Sequence, residues 1–232
     1  MNEVSNAAAI LNFYKKMKIT FQLPPGVEVL FPFDEPRCAN ASAEFYHRFY
    51  NDTFPRVFIF GINPGRFGGG ITGVPFTDPI RLESECGISN EFKKAPELSS
   101  IFIYEMIRKF GGPAAFYQQF YITAVSPPGY TKLGLNLNYY DDKELMLAAA
   151  PQLIEWIRQQ QSFLRASNIC ICLGEGTNFK YFSKLNDEHQ FFEQILPLPH
   201  PRWIMQYRRK RMNDFVDLYI EKLKLAIEKS RD

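Results

Sequence analysis

The chain has 232 residues, of which 46% are hydrophobic and 22% are charged, so it is long enough to bury one sizeable core. We expect one domain over 1–232 and a monomer, and no apolar run reaches the ~18 residues that a membrane span requires. The net charge of +2 does not by itself indicate a polyanionic partner. The aromatic fraction of 16% exceeds what a small core needs, so some rings are candidates to stack on a planar ligand.

Cysteine usage bears on the compartment and on metals. Cys38, Cys86, Cys170 and Cys172 lack C-x-x-C spacing, and we recognise no secretory signal. Cys170 and Cys172 stand two apart in an apolar run and so point into the same packed face, which does not favour an iron–sulfur or zinc site. We therefore expect a cytoplasmic protein without a metal site.

In chain order, helical spacing of apolar residues alternates with short apolar runs. A Pro-rich extended stretch over 23–36 follows the first helical pattern. The predicted helices cover 7–19, 97–110, 141–164 with an interruption at Pro151, 176–185 and 213–229. The predicted buried strands cover 56–61, 120–123, 169–174 and 194–198.

This alternation predicts an α/β fold, with one central, mostly parallel four-stranded sheet flanked by helices. Ligands of such sheets bind at the carboxyl ends of the strands. The loops that follow Phe60, Thr123 and Leu198 should therefore converge on one site.

The loop after the first predicted strand is rich in glycine. Residues 61–76 contain six glycines and two prolines, which set an unusual backbone path that a ligand can approach closely. No Gly-Lys-Ser/Thr ends the loop, and it does not match G-x-G-x-x-G, so neither common phosphate-binding motif is present. From composition alone, a phosphate-binding loop and a merely structural loop both stay open.

Two motifs, however, resemble those of a known family. Residues 61–68 read Gly-Ile-Asn-Pro-Gly-Arg-Phe-Gly, residues 72–76 read Thr-Gly-Val-Pro-Phe, and residues 199–203 read Pro-His-Pro-Arg-Trp after the last predicted strand. This pattern closely resembles the uracil-DNA glycosylase superfamily, in particular its single-strand-selective monofunctional branch. The resemblance covers most of 56–211. It implies a DNA-repair glycosylase that flips a deaminated base such as uracil out of DNA and hydrolyses its N-glycosidic bond, without cutting the strand and without metal or organic cofactor. If the protein is bacterial, it would be nucleoid-associated.

The resemblance assigns catalysis to Asn63 and His200. Breaking the bond between base and sugar develops negative charge on the departing base, which His200 would stabilise at the uracil O2. Asn63 would hold the attacking water but, being an amide, could not deprotonate it.

The resemblance also implies a base pocket. Phe76 would stack on the flipped base, and Gly65 replaces a tyrosine of the classical enzymes, which should leave room for 5-substituted pyrimidines or a deaminated purine. The family's base-pairing asparagine is replaced by Ala124, so we expect less discrimination and activity on hypoxanthine or xanthine as well as uracil. Thr123, Ser126 or a main-chain group are candidates to replace it. The predicted base contacts are Ile62, Gly65, Phe76, Thr123, Ala124 and Ser126.

Basic residues cluster near the carboxyl terminus, where the resemblance places a loop that enters the duplex. Residues 202–207 correspond to that loop, with Trp203 as a wedge, and 208–211 would bind phosphates and make binding depend on salt. The predicted DNA contacts are Arg202, Trp203, Tyr207, Arg208 and Arg209.

Three other interpretations stay open. The chain could be a glycosylase for deaminated purines with uracil as a minor substrate, or a catalytically inert nucleic-acid-binding module, against which the retained Asn63 and His200 argue. A nucleotide-binding protein unrelated to DNA is favoured only if the Gly-rich loop cradles phosphate.

Overall fold

The computed structural model describes residues 4–230, so the first three and last two residues of the predicted domain lie outside the described part. The strands there are β1 (Val27–Leu30), β2 (Val57–Gly61), β3 (Phe120–Ala124), β4 (Gly129–Lys132), β5 (Leu135–Leu137), β6 (Ile169–Leu173) and β7 (Gln194–Leu198). The helices are α1 (Asn6–Lys16), α2 (Pro36–Tyr50), α3 (Gly69–Thr72), α4 (Pro79–Ser84), α5 (Leu98–Phe110), α6 (Pro113–Gln119), α7 (Lys143–Leu164), α8 (Thr177–His189), α9 (Pro201–Tyr207) and α10 (Met212–Lys229).

The predicted parallel sheet is confirmed. Its strands run in the order β3-β2-β6-β7, and every neighbouring pair is parallel. All residues of β2, β3 and β6 are buried, which means that helices cover both faces, since successive side chains point to opposite sides. Because β2 lies between β3 and β6, the chain leaves it to one side and later returns on the other. That change of direction opens a crevice at the carboxyl ends of the strands.

A second, smaller sheet was not predicted. Strands β1, β4 and β5 pair antiparallel in the order β1-β4-β5. Leu135 and Asn136 of β5 are exposed, so this sheet has little of the apolar alternation that marks a half-buried strand. Its hairpin stands beside the crevice of the main sheet.

Several predicted boundaries need correction. The first helix ends at Lys16 instead of residue 19, and the helices α2, α4 and α6 were not predicted. The predicted interruption at Pro151 is wrong, since α7 runs through it. Proline removes the donor to the carbonyl of Leu147, but both residues are exposed, so water reaches that carbonyl. Residues 202–207 form most of helix α9 instead of the loop implied by the resemblance.

Aromatic side chains build much of the core. Tyr50, Tyr104 and Tyr117 are almost fully buried, and the Tyr104 hydroxyl is within hydrogen-bond distance of the Tyr117 and Thr77 hydroxyls. Most rings counted in the composition are therefore structural, and few remain for a ligand.

The described residues contain no helix that is long and apolar enough to cross a membrane. The four cysteines are buried free thiols. Burial raises the pKa of Cys38, Cys86 and Cys172 to about 12, so these thiols stay protonated at neutral pH.

Candidate active site

A cavity of about 400 Å³ lies at the carboxyl ends of β2, β3 and β7, within the size range of small-ligand sites. The loops after these three strands all contribute to it, as predicted. The sequence-predicted residues that line it are Ile62, Asn63, Gly65, Phe76, Thr123, Ala124, His200, Arg202, Trp203 and Tyr207.

Three predicted site residues do not line the cavity. Ser126 is fully buried, its hydroxyl donates to the Pro128 carbonyl and lies within hydrogen-bond distance of the Tyr130 hydroxyl, and its backbone N–H donates to the Ile62 carbonyl. We therefore withdraw it as a base contact. Arg208 and Arg209 lie on the exposed surface beyond the end of α9.

The Asn63 side chain is held in one orientation by its neighbour in the Gly-rich loop, by the end of β5 and by the residues that follow β5. Its Oδ1 accepts a hydrogen bond from the Tyr139 backbone N–H at 3.0 Å, and its Nδ2 donates to the carbonyls of Leu137 at 3.2 Å and Pro64 at 3.3 Å. These bonds use both amide hydrogens and one lone pair of Oδ1. The remaining lone pair is an acceptor that can hold a water molecule but cannot take its proton.

His200 is placed by the start of a helix. It is the N-cap of α9, Pro201 follows at the first helical position, and the imidazole Nδ1 accepts the Arg202 backbone N–H at 3.1 Å. A ring nitrogen that accepts carries no proton, so in the neutral ring the proton sits on Nε2. The His-Pro motif thereby fixes the tautomer as well as the position.

The His200 ring is neutral at physiological pH. Burial, followed by the positive charge of Arg202, lowers its pKa to about 4. His200 is therefore a neutral Nε2–H donor in the cavity, suited to a carbonyl oxygen on which negative charge develops.

Phe76 forms an aromatic wall of the same cavity. Its backbone adopts φ 52°, a left-handed conformation unusual for a residue with a side chain. A Cβ built on Gly61 would lie 2.9 Å from the Phe76 ring, so glycine at the end of β2 lets the ring pack on the backbone. The ring centroid is 5.8 Å from that of His200. This strained, closely packed placement indicates a functional constraint on Phe76.

The end of β3 offers few polar groups to a ligand. Thr123 donates its hydroxyl to Gln160 Oε1 at 2.6 Å, and Ala124 has no polar side-chain atom. Neither side chain can replace the amide that the resemblance leads one to expect at 124.

A carboxyl group in the cavity was missed by the sequence analysis. Glu97 precedes α5 and lines the cavity, and a Cβ on Gly68 would overlap its carboxylate, so Glu97 packs directly on the Gly-rich loop. Burial, and secondly the charge of Asp78, raise its pKa to about 7 against the opposing effect of Arg202. The available signal, one acidic residue before a helix, is too common to have singled it out.

The hairpin residue Asn136 was also missed. It lines the cavity, and its Oδ1 accepts the Arg66 backbone N–H at 3.1 Å. The Arg66 guanidinium in turn donates to the Gly134 carbonyl, which ties the Gly-rich loop to the hairpin. Because β4 and β5 were not predicted, nothing in the sequence brought this asparagine to the site.

The outer rim carries exposed aromatic and basic groups. Trp203 is 40% and Tyr207 64% exposed, and the Arg208 guanidinium lies 5.1 Å from the centroid of the Trp203 indole. Arg211 pairs with Asp214 at 2.9 Å, whereas the Arg209 guanidinium makes no hydrogen bond or ion pair within residues 4–230. The rim thus presents a stacking surface next to a cation that is free for an anionic partner.

Within the described residues no group of three or more His, Cys, Asp or Glu side chains is arranged to hold a metal ion.

Comparisons with known proteins agree with this geometry. The family model of the uracil DNA glycosylase superfamily matches residues 47–224. The crystal structure of wild-type SMUG2 from Pedobacter heparinus is 44% identical to the chain and superposes with a TM-score of 0.92. The match covers 95% of this chain and 97% of that one. No curated protein sequence matches.

Proposed function

The chain belongs to the uracil DNA glycosylase superfamily, and we propose that it is a monofunctional DNA glycosylase that hydrolyses the N-glycosidic bond of deaminated bases in base excision repair. Its proposed substrates are uracil and, through a permissive pocket, hypoxanthine, xanthine and 5-substituted uracils. The observation that carries the proposal is that Asn63 and His200 line one cavity with each side chain fixed by hydrogen bonds.

The departing base is the first requirement of this chemistry. As the bond to the sugar breaks, its electron pair moves onto the base, and negative charge appears on the base oxygens. The neutral His200 donates Nε2–H to that oxygen, and one such preorganised donor contributes roughly 3 kcal/mol to transition-state stabilisation. Phe76 holds the flipped base by stacking, worth about 1–3 kcal/mol.

The attacking water is the second requirement. Asn63 Oδ1 accepts one hydrogen bond from that water and orients its oxygen toward the sugar carbon that is losing the base. The water gives up its proton, to the departing base anion or to solvent, only after bonding to this carbon, because the amide is no base. Leaving-group stabilisation therefore sets the rate more than water activation does.

The lining of the cavity also supports the absence of strand cleavage. A glycosylase that cuts the strand uses an amine to form a Schiff base with the sugar. Among the described residues, the lining contains no lysine. The proposed product is an intact strand with an abasic site.

The outer rim of the cavity would bind DNA. Trp203, beside the cavity on α9, is placed to fill the gap left by an extruded base, while Arg202, Tyr207, Arg208 and Arg209 contact the neighbouring backbone. Flipping costs a few kcal/mol, which an inserted ring and phosphate contacts offset. In this proposal helix α9, and not a loop, enters the duplex.

A preference for deaminated purines is the second candidate. It is favoured by Ala124, which supplies no bidentate partner to restrict the cavity to a pyrimidine. In that case hypoxanthine or xanthine would be released faster than uracil.

The test is a base-release assay on single- and double-stranded oligonucleotides that carry uracil, 5-hydroxymethyluracil, hypoxanthine or xanthine. Asn63→Ala should abolish most release, and Asn12→Ala, which alters an exposed asparagine on α1, serves as the matched control. Strand integrity is read before and after alkali treatment. No release from any of these bases, or full activity of Asn63→Ala, would contradict the proposal, and cleavage without alkali would contradict its monofunctional part.

A further inference from the structure

Asn136 presents a hydrogen-bond donor beside the Gly-rich loop. Its Nδ2 would lie 3.2 Å from a Cβ built on Gly65. This amide nitrogen therefore faces Gly65, a cavity-lining residue that has no side chain. Within residues 4–230 no protein group accepts a hydrogen bond from Nδ2. The cavity therefore contains a polar atom whose partner is not supplied by the described part of the protein.

The orientation of this amide is fixed. Oδ1 accepts the Arg66 backbone N–H at 3.1 Å, and rotation of the amide by half a turn would set two donors against each other. The atom that faces Gly65 is consequently an N–H donor and cannot act as an acceptor.

The side chains at and after the end of β3 do not compete for the role. Ala124 has no polar group, and the hydroxyls of Thr123 and Ser126 donate to protein acceptors. Asn138 and Gln206 also line the cavity with side-chain amides, but Asn136 is the one whose amide lies against Gly65.

A donor-only group matches the chemical change that deamination makes. Cytosine and adenine carry an amino group, a donor, where uracil and hypoxanthine carry a carbonyl oxygen, an acceptor. We propose that Asn136 is a specificity-determining residue that donates Nδ2–H to the carbonyl oxygen created by deamination, and so accepts uracil and hypoxanthine while rejecting cytosine and adenine. This inference rests on the proposed function.

This hydrogen bond does not depend on the size of the base, because it involves one carbonyl oxygen and not the shape of the ring. It therefore explains how a cavity without a bidentate amide at 124 still distinguishes uracil from cytosine and hypoxanthine from adenine. Leaving a donor opposite a donor costs more than the bond itself contributes, since both groups lose water without gaining a partner.

The test measures binding, so that it does not depend on turnover. Oligonucleotides carry uracil or cytosine on a 2′-fluorinated deoxyribose, whose electron-withdrawing fluorine opposes positive charge on the sugar and prevents base release. Asn136→Asp keeps an oxygen for the Arg66 N–H but turns the donor into an acceptor. Leu135→Asp adds the same charge one residue away, on an exposed position of the same strand, and is the control.

The expected result is a preference of the wild type for uracil over cytosine that falls by about tenfold or more in Asn136→Asp and persists in Leu135→Asp. Release of uracil and hypoxanthine from cleavable oligonucleotides should fall in parallel. An unchanged uracil-to-cytosine ratio in Asn136→Asp, or a wild type that binds both equally, overturns the inference. A wild type that prefers uracil but releases no base would contradict the proposed function and leave this inference standing.

Discussion

The inner end and the outer rim of the cavity hold their polar groups in different ways. At the inner end, Asn63 and His200 are fixed by hydrogen bonds to the backbone. At the rim, Trp203 and Tyr207 are exposed and held by ring and guanidinium contacts. Side chains fixed by hydrogen bonds can stabilise a transition state, which requires donors and acceptors at defined positions. Exposed side chains can adjust to DNA, whose backbone path varies.

This difference predicts how changes at the two ends should behave. Alterations at the inner end should lower the rate of bond cleavage, because each fixed group acts on charge that appears only during the reaction. Alterations at the rim should lower affinity and leave the rate for bound DNA nearly unchanged. The predictions below run from the largest expected effect to the smallest.

His200→Ala should cause the largest loss, about a hundredfold to a thousandfold in the single-turnover rate, since it removes the donor to the departing base. His47→Ala, on the exposed side of α2, is the matched control and should be as active as wild type. The measurement is base release with excess enzyme over uracil DNA. A His200→Ala enzyme that loses only affinity would break the distinction between the two ends.

The lowered pKa of His200 also has a consequence for stability. The unfolded chain takes up a proton near pH 6.5, whereas the folded ring does so only near pH 4. The free energy of unfolding should therefore decrease as the pH falls from 6.5 toward 4, and this part of the decrease should be missing in His200→Ala. Denaturant titrations at several pH values measure it.

Phe76→Ala should reduce kcat/KM by roughly tenfold to a hundredfold, in line with the 1–3 kcal/mol of base stacking. Gly61→Ala tests the position of the ring separately from its presence. The added Cβ would lie 2.9 Å from the Phe76 ring and must displace it, while Phe76 itself is kept. Both variants should weaken the enzyme on uracil. If Gly61→Ala were fully active, the position of the ring would not matter and stacking would be the wrong role for it.

The inner end was largely predictable from sequence, and the reason is physical. Buried parallel strands require short runs of apolar residues, and the Gly-rich and His-Pro segments lie at their carboxyl ends, so the motifs could be placed on one edge of a sheet. Asn63, Phe76 and His200 were singled out within these segments by the resemblance to the uracil-DNA glycosylase superfamily. Their partners were not, because the Tyr139 N–H that orients Asn63 belongs to the backbone and has no sequence signature.

The remainder of the site depends on contacts between distant parts of the chain. Asn136 lies on a three-residue strand whose pairing partner, β4, is equally short, and such strands leave no periodic pattern. Glu97 is notable only because folding buries it beside Asp78. The wrong prediction at Pro151 also comes from tertiary structure that the sequence does not show. Pro151 is tolerated in α7 because it lies on the exposed face of the helix and not among the buried residues.

Arg209→Ala should have a smaller effect, confined to affinity. Losing one phosphate contact should weaken binding several-fold at low salt and reduce the slope of log K against log salt by about 1. Arg158→Ala is the control, because Arg158 stacks on Phe191, which precedes the amino end of β7, whereas the cavity lies at the carboxyl end of that strand. A loss of the single-turnover rate with saturating Arg209→Ala enzyme would place this residue with the inner end instead.

Glu97 should have the smallest effect and lies between the two ends. Its pKa of about 7 means that the carboxyl gains a negative charge as the pH rises from 6 to 8, facing the charges of Asp78 and Arg202 and the neutral His200. DNA is a polyanion, so the dissociation constant of the wild type should rise a few-fold over this range, while Glu97→Gln should bind equally at both pH values. Because folding raises the pKa from 4.5 to about 7, the wild type should also lose stability as the pH rises from 4.5 to 7, and Glu97→Gln should not. Equal pH dependence of binding in both proteins would mean that the charge on Glu97 is not felt by the bound strand, which would assign this carboxyl to the support of the Gly-rich loop alone.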